Sequence, residues 1–166
     1  DLNLIVEDGN TMVKAIQIDP SGEVLLPKTP AFQVIGTAQN NFAENSNVTV
    51  AWDDTDRFDQ GSNFLNDAFT APVTGKYQLN VKLYIKNLES AYNYYELQIV
   101  THNKTYYALV DLGGASDPLY WTITESVLAD MDAGDTVVIK ISAGGTGGGA
   151  AHDLDAHSIW SGFLAC

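Results

Sequence analysis

From Tyr77 to Ile85 the chain reads Tyr-Gln-Leu-Asn-Val-Lys-Leu-Tyr-Ile, with apolar side chains at odd positions and mostly polar ones between. A period of two is the signature of a strand with one buried face. Segments of similar type follow at Tyr94 to Val100, Thr105 to Asp111, Leu119 to Met131, Thr136 to Ser142 and Ser158 to Ala165. Turn chemistry separates them at Thr74-Gly75, His102 to Lys104, Gly113 to Pro118, Asp132 to Asp135 and the glycine-rich run Gly144 to Gly149. Helical periodicity is almost absent. Many short strands joined by Gly, Asn and Pro turns predict an all-β sandwich or barrel.

The first thirty residues differ. Leu2 to Val6 and Ala15 to Asp19 alternate briefly, Asp19-Pro20-Ser21-Gly22 makes a turn, and Pro27 and Pro30 flank the passage into Ala31-Phe32. Such segments are too short to bury their own apolar side chains. They read either as an extended arm packed on the main domain or as the end of a stem that pairs with copies of itself. The boundary falls near Pro30, giving an N-terminal stem over 1–30 and a head over 31–166.

Composition narrows the partners. The chain has 166 residues, a prior for one globular core, and a net charge of −13. That acidity opposes nucleic acid and anionic membrane surfaces. No apolar run reaches the length of a membrane span, so no membrane insertion is expected. No signal peptide leads the chain, which reads as a mature product or a fragment. Cys166 is the one cysteine. It excludes an internal disulfide and a multi-cysteine metal site.

Three stretches carry a family resemblance. Phe69-Thr70-Ala71-Pro72-Val73-Thr74-Gly75-Lys76-Tyr77-Gln78-Leu79, then Ser126 to Val137, then Ser158-Ile159-Trp160-Ser161-Gly162-Phe163-Leu164 stand in order at the expected spacing. Together they resemble the globular heads of complement component 1q, among the tumour-necrosis-factor-like jelly rolls. The resemblance implies a ten-strand antiparallel jelly-roll sandwich on a short N-terminal β stem, assembled as a homotrimer. Leu79 stands where the family has Phe, and Leu65 stands where Asp or Asn is common, which removes a polar side chain from that loop. Physically, Pro72 ends a strand for want of a ladder donor. Gly75 is expected to supply a turn, Gly134-Asp135 a tight hairpin link, and Gly162 a close backbone approach or bulge. The stretch Ile16 to Val24, followed by Pro27 to Phe32, looks like the segment joining shaft to head in bacteriophage tail fibres.

Strand reversal then orients the molecule. With the strand from Phe32 pointing away from the stem, the loops Lys86–Tyr92, Leu112–Pro118 and Gly144–His157 fall at the far end. The turns at Pro72–Gly75, His102–Lys104 and Asp132–Gly134 fall beside the stem. Long loops on a rigid sandwich are where binding residues sit, so Asn87, Tyr92, Ser116, Asp117, His152 and His157 are the expected receptor contacts. Asp153 and Asp155 are hard oxygen ligands two residues apart, and calcium is the cation they would take, no other cofactor being expected. The alternative for them is a solvated acidic loop. The same choice applies to Asp53-Asp54-Thr55-Asp56 with Asp59. Tyr92, Tyr94, Tyr95, Tyr106, Tyr107, Tyr120 and Trp121 crowd the middle of the chain. In adjacent pairs, one ring fills the sandwich and the other meets a partner subunit or a sugar.

No nucleophile motif, phosphate loop or zinc spacing accompanies the histidines, so no catalytic site is expected. The reading is a non-enzymatic, trimeric receptor-binding head at the tip of a viral tail fibre, joined to an upstream fibre shaft and recognising a host-surface glycan or protein. The alternatives are a secreted complement-1q-like interaction protein and, last, a fibre-borne glycan-degrading enzyme.

Overall fold

The computed structural model describes residues 1–42, 45–113, 116–145 and 152–166, and their side chains except at residues 8 and 54–57. Every regular element among the described residues is a β-strand. In chain order these are β1 (Leu2–Asp8), β2 (Thr11–Ile18), β3 (Val24–Leu25), β4 (Ala31–Gly36), β5 (Gln39–Phe42), β6 (Val48–Thr49), β7 (Trp52–Gln60) and β8 (Phe64–Leu65). They continue with β9 (Ala68–Thr70), β10 (Gly75–Lys86), β11 (Tyr94–Thr101), β12 (Thr105–Val110), β13 (Tyr120–Met131), β14 (Thr136–Gly144), β15 (His152–Leu154) and β16 (Ile159–Leu164).

Strands β1 to β3 form a sheet of their own, and the rest make two facing sheets. One runs β5-β15-β10-β16-β4-β7, with β13 on the second edge of β10. The other runs β12-β11-β14-β9-β8, with β6 also on β14. Every ladder between described strands is antiparallel. The alternation that opens the sequence is the inward row of β10: Tyr77, Leu79, Val81, Leu83 and Ile85 are all buried. They face Tyr95, Leu97 and Ile99 of β11 and Val137, Ile139 and Ile141 of β14 in one continuous core. An aromatic cluster fills one part of it. Phe32 stacks on Phe69 at 4.5 Å and meets the edge of Trp160 at 5.1 Å.

Several local expectations are settled here. Gly134 has φ +94°, and the Asp135 carboxylate accepts the Asp132 N–H at 2.9 Å, as a tight hairpin link requires. Gly75 does not make a turn. It opens β10 beside the C-terminus, where a Cβ would lie 2.7 Å from the Cys166 carbonyl oxygen. Asp53 to Asp56 do not form a loop either. They lie in β7, where the pairing with β4 shifts register between Gln33 and Ile35. Asp59 instead accepts the N–H groups of Asn63 (3.1 Å) and Phe64 (3.0 Å), closing the turn in which Leu65 provides no polar side chain.

Gly162 sits in β16 with Phe32 Cε1 2.7 Å and Leu79 Cδ2 2.9 Å from where a Cβ would stand. Both neighbours are locked in the core, so neither ring nor methyl can give way. Gly162→Ala is expected to destabilise the fold by about 1–3 kcal/mol through overpacking. A thermal melt matching the parent would show that the core has slack there.

Candidate functional site

The last residue of β10 sets the geometry of the far end. Lys86 stands opposite Tyr120 on one edge and Asp153 on the other. The chain then turns through Asn87, a non-glycine residue at φ +57°. Asparagine tolerates that conformation better than most side chains. The Asn87 N–H donates to the Leu119 carbonyl (3.0 Å) and its Nδ2 to Asp153 (2.7 Å). Asp153 also accepts the Asn41 N–H at 3.0 Å, so one carboxylate ties β5 to this turn. Asp155 accepts from Lys86 Nζ at 2.8 Å, from the His157 N–H at 2.9 Å, and pairs with the His157 ring. Those contacts, Lys86 first, hold its carboxyl well below the usual carboxylate range, and Asp155 in turn raises Lys86. Asp117 accepts the N–H and hydroxyl of Ser90 at 2.9 and 2.7 Å, which lowers its pKa.

The three expected loops therefore meet at one end. Asn87, Ser116, Asp117 and His157 are exposed there. Residues 114–115 and 146–151, which belong to two of those loops, lie outside the described residues. The turns expected beside the N-terminal segment gather at the opposite end. Asn103 donates to Asp135, Thr74 to Asp132, and the Leu164 N–H to the Pro30 carbonyl.

Two expected contacts are corrected. His152 is 1% exposed and Tyr92 is 3% exposed. The His152 ring stacks on Phe42 at 5.2 Å and receives the edges of Tyr95 and Tyr92 at 5.1 and 6.2 Å. The side-chain alternation of a strand explains this: in β15, His152 and Leu154 point inward and Asp153 outward. Tyr92 and His152 thus support the loops from beneath and do not present a surface. The calcium reading meets a similar difficulty, because Asp153 and Asp155 are each engaged by protein donors. Among the described residues no group of three or more His, Cys, Asp or Glu side chains gathers as a metal cage.

Two side chains that the loop argument did not single out join this end. The Tyr84 ring lies 5.8 Å from Tyr120 and 5.9 Å from the exposed His157, making a row of three rings. The available signal was positional. Tyr84 and Lys86 occupy the outward parity of β10, which a reading centred on loops passes over.

No protein-family model matches the chain, and no curated protein matches its sequence. Solved structures do. The globular domain of the zebrafish complement 1qA protein is similar at 18% identity, covering 83% of this chain and 98% of that one, with a TM-score of 0.59. Crystal structures of murine APRIL are similar at 11% and 13% identity, each over 82% of this chain, with TM-scores of 0.57 and 0.56. The fold is the complement-1q and tumour-necrosis-factor type of jelly roll.

Burial holds the His152 imidazole down to about 4, against 6.5 for a free histidine, with Asp153 acting in the opposite sense. Neither ring nitrogen has a hydrogen-bond partner among the described residues. Between these two values the unfolded chain binds a proton that the folded chain refuses. The contribution is therefore complete above pH 6.5 and is lost as pH falls toward 4. The loss is expected to reach about 3 kcal/mol. His152→Phe, which keeps the stacking, should flatten the slope of stability against pH in this window. Parallel slopes for parent and variant would assign the acid sensitivity elsewhere.

Proposed function

We propose that this chain is the non-enzymatic, trimeric receptor-binding head of a bacteriophage tail fibre, with residues 1–30 as the end of a stem and 31–166 as the head. The observation that carries this reading is the polarity of the molecule. The N-terminal sheet enters at the end marked by Pro30 and Cys166. The exposed Asn87, Ser116, Asp117 and His157 stand at the other, on loops braced by Asp117, Asp153 and Asp155. A shaft on one side and adaptable polar loops on the opposite side suit attachment to a surface.

The outer face of the seven-stranded sheet supports association of copies. It exposes Leu128 and Phe163 and carries a groove of about 420 Å³ lined by Asn80, Lys82, Thr124, Ser126, Ile159 and Ser161. Three copies would present three identical loop sets, turning weak single contacts with a host-surface glycan or protein into avid attachment. The complement-1q and APRIL likeness favours a second reading, a secreted interaction protein with no virion. The two differ in what the loops bind, bacterial envelope in one case and extracellular protein in the other.

Sedimentation should return three times the chain mass of 17.9 kDa. Adsorption to host cells should drop at least several-fold in His157→Ala and Ser116→Arg, with stability changed by no more than about 0.5 kcal/mol. A monomer at all concentrations, or adsorption lost only through Asn103 or Ala133 substitutions at the stem end, would overturn the reading.

A further inference from the structure

The outward face of β10 changes character along the strand. Gln78 stands between Leu128 on β13 and Phe163 on β16, both exposed, so that part of the face is apolar. Tyr84 lies six residues further on, roughly 20 Å away at the rise of a strand. There the same face carries aromatic rings set among polar side chains. Tyr84 is flanked along β10 by Lys82 and Lys86 and stands opposite the exposed Thr122 of β13. Tyr120 shares the face of Thr122 and brings its ring to 5.8 Å from that of Tyr84, at an interplanar angle of 36°. His157 adds a third ring at 5.9 Å and 55°.

Backbone contacts hold this row in place. The Tyr84 N–H donates to the buried Ser158 Oγ at 3.0 Å, and the Tyr84 carbonyl accepts the Asp155 N–H at 2.9 Å. Asp155 in turn accepts the His157 N–H at 2.9 Å and Lys86 Nζ at 2.8 Å. Strand and loop share one frame, so a ligand meets rings whose backbone is already placed. The rings are also accessible, with Tyr120 59% exposed. Tyrosine offers flat apolar area at low cost in conformational entropy, with a hydroxyl at its rim.

A pyranose ring has the matching chemistry. Its C–H groups stack on an aromatic face, and its hydroxyls meet donors and acceptors around the edge. Lys86 has ammonium protons beyond the one it gives to Asp155, and Thr122 and the two phenols add hydroxyls. Charge selects among sugars. An acidic sugar would approach Asp153 and Asp155 on a chain of net charge −13, with the charge of Lys86 already balanced by Asp155. We propose that Tyr84, Tyr120 and His157 form a stacking site for neutral pyranose units of a surface glycan. The proposal rests on the receptor-binding reading above and deepens it by naming the ligand class and the rings that take it.

The test is binding of the full chain to an array of immobilised bacterial polysaccharides, neutral and acidic, read beside adsorption to host cells. The parent should hold at least one neutral polysaccharide. Tyr120→Ala and Tyr84→Ala should each lower that affinity by roughly tenfold or more, as truncation of an anchor ring does. Tyr84→Phe, which keeps the ring face, should retain most of it. Tyr107→Ala is the matched control, since Tyr107 is also 59% exposed but lies on β12 in the other sheet. Sedimentation and a thermal melt of each variant run alongside. Binding that survives both alanine variants, falls equally in Tyr107→Ala, or is confined to acidic polysaccharides overturns the proposal. Alanine variants that change the sedimenting mass and leave glycan binding intact assign the rings to a contact between copies and overturn it as well. Adsorption to host cells with no polysaccharide bound marks a protein receptor, which overturns this site and leaves the receptor-binding head standing. Neither adsorption nor glycan binding overturns both.

Discussion

Strand β10 is paired along its whole length with β13 on one edge, while β16 and then β15 share the other. A strand held on both edges cannot slip by one residue without turning Tyr77, Leu79, Val81, Leu83 and Ile85 out of the core. Its two ends are therefore fixed points for everything else. At the first, Gly75 meets Met131, and the Lys76 N–H donates to the Cys166 carbonyl at 2.7 Å. At the second, Lys86 meets Tyr120 and Asp153. The link from the arm is bound to the first end through Pro30 and Leu164. The Asn87 turn, the Asp155–His157 pair and the Leu119 approach are bound to the second.

The acidity of the chain takes on a structural meaning in this frame. Asp19 accepts from the Ser21 N–H and hydroxyl and from the Glu23 N–H, Asp67 from the Trp52 N–H, and Asp111 from the Gly113 N–H. Asp59, Asp117, Asp135 and Asp153 do the same work elsewhere. A carboxylate that accepts such bonds satisfies backbone donors that no ladder reaches. Short connections between many strands leave numerous N–H groups off the ladders, and each needs an acceptor. Of the carboxylates that look like metal ligands in the sequence, Asp59 caps a turn, Asp153 ties β5 to the Asn87 turn, and Asp155 gains a counter-ion in Lys86.

The parts of the fold that were readable in the sequence share a cause. The Tyr77–Ile85 alternation reports burial on one side of a regular strand, and Gly134-Asp135 reports a backbone conformation that few residues adopt. Both are local. What escaped reading depended on partners far along the chain. The role of Gly75 is set by Cys166, and the burial of His152 by Phe42, Tyr92 and Tyr95. Neither distance nor neighbour is visible at His152 itself, where a polar sequence beside a glycine-rich run suggests a surface. The register shift between Leu4 and Ile5 in the ladder of β1 and β2 is of the same kind. Residues Met12 to Ile18 do not alternate cleanly, and only the pairing with β1 shows that Val13, Ile16 and Ile18 belong to one face.

Arm and head differ in how they are stabilised. The head closes its own core, with Trp160, Tyr77, Tyr95, Phe32, Phe64 and Phe69 all under 2% exposed within a single chain. The arm has backbone ladders but no interior. Hydrogen bonds exchanged with water contribute little net free energy, so the ladders of β1 to β3 cannot by themselves offset the conformational entropy of ordering those residues.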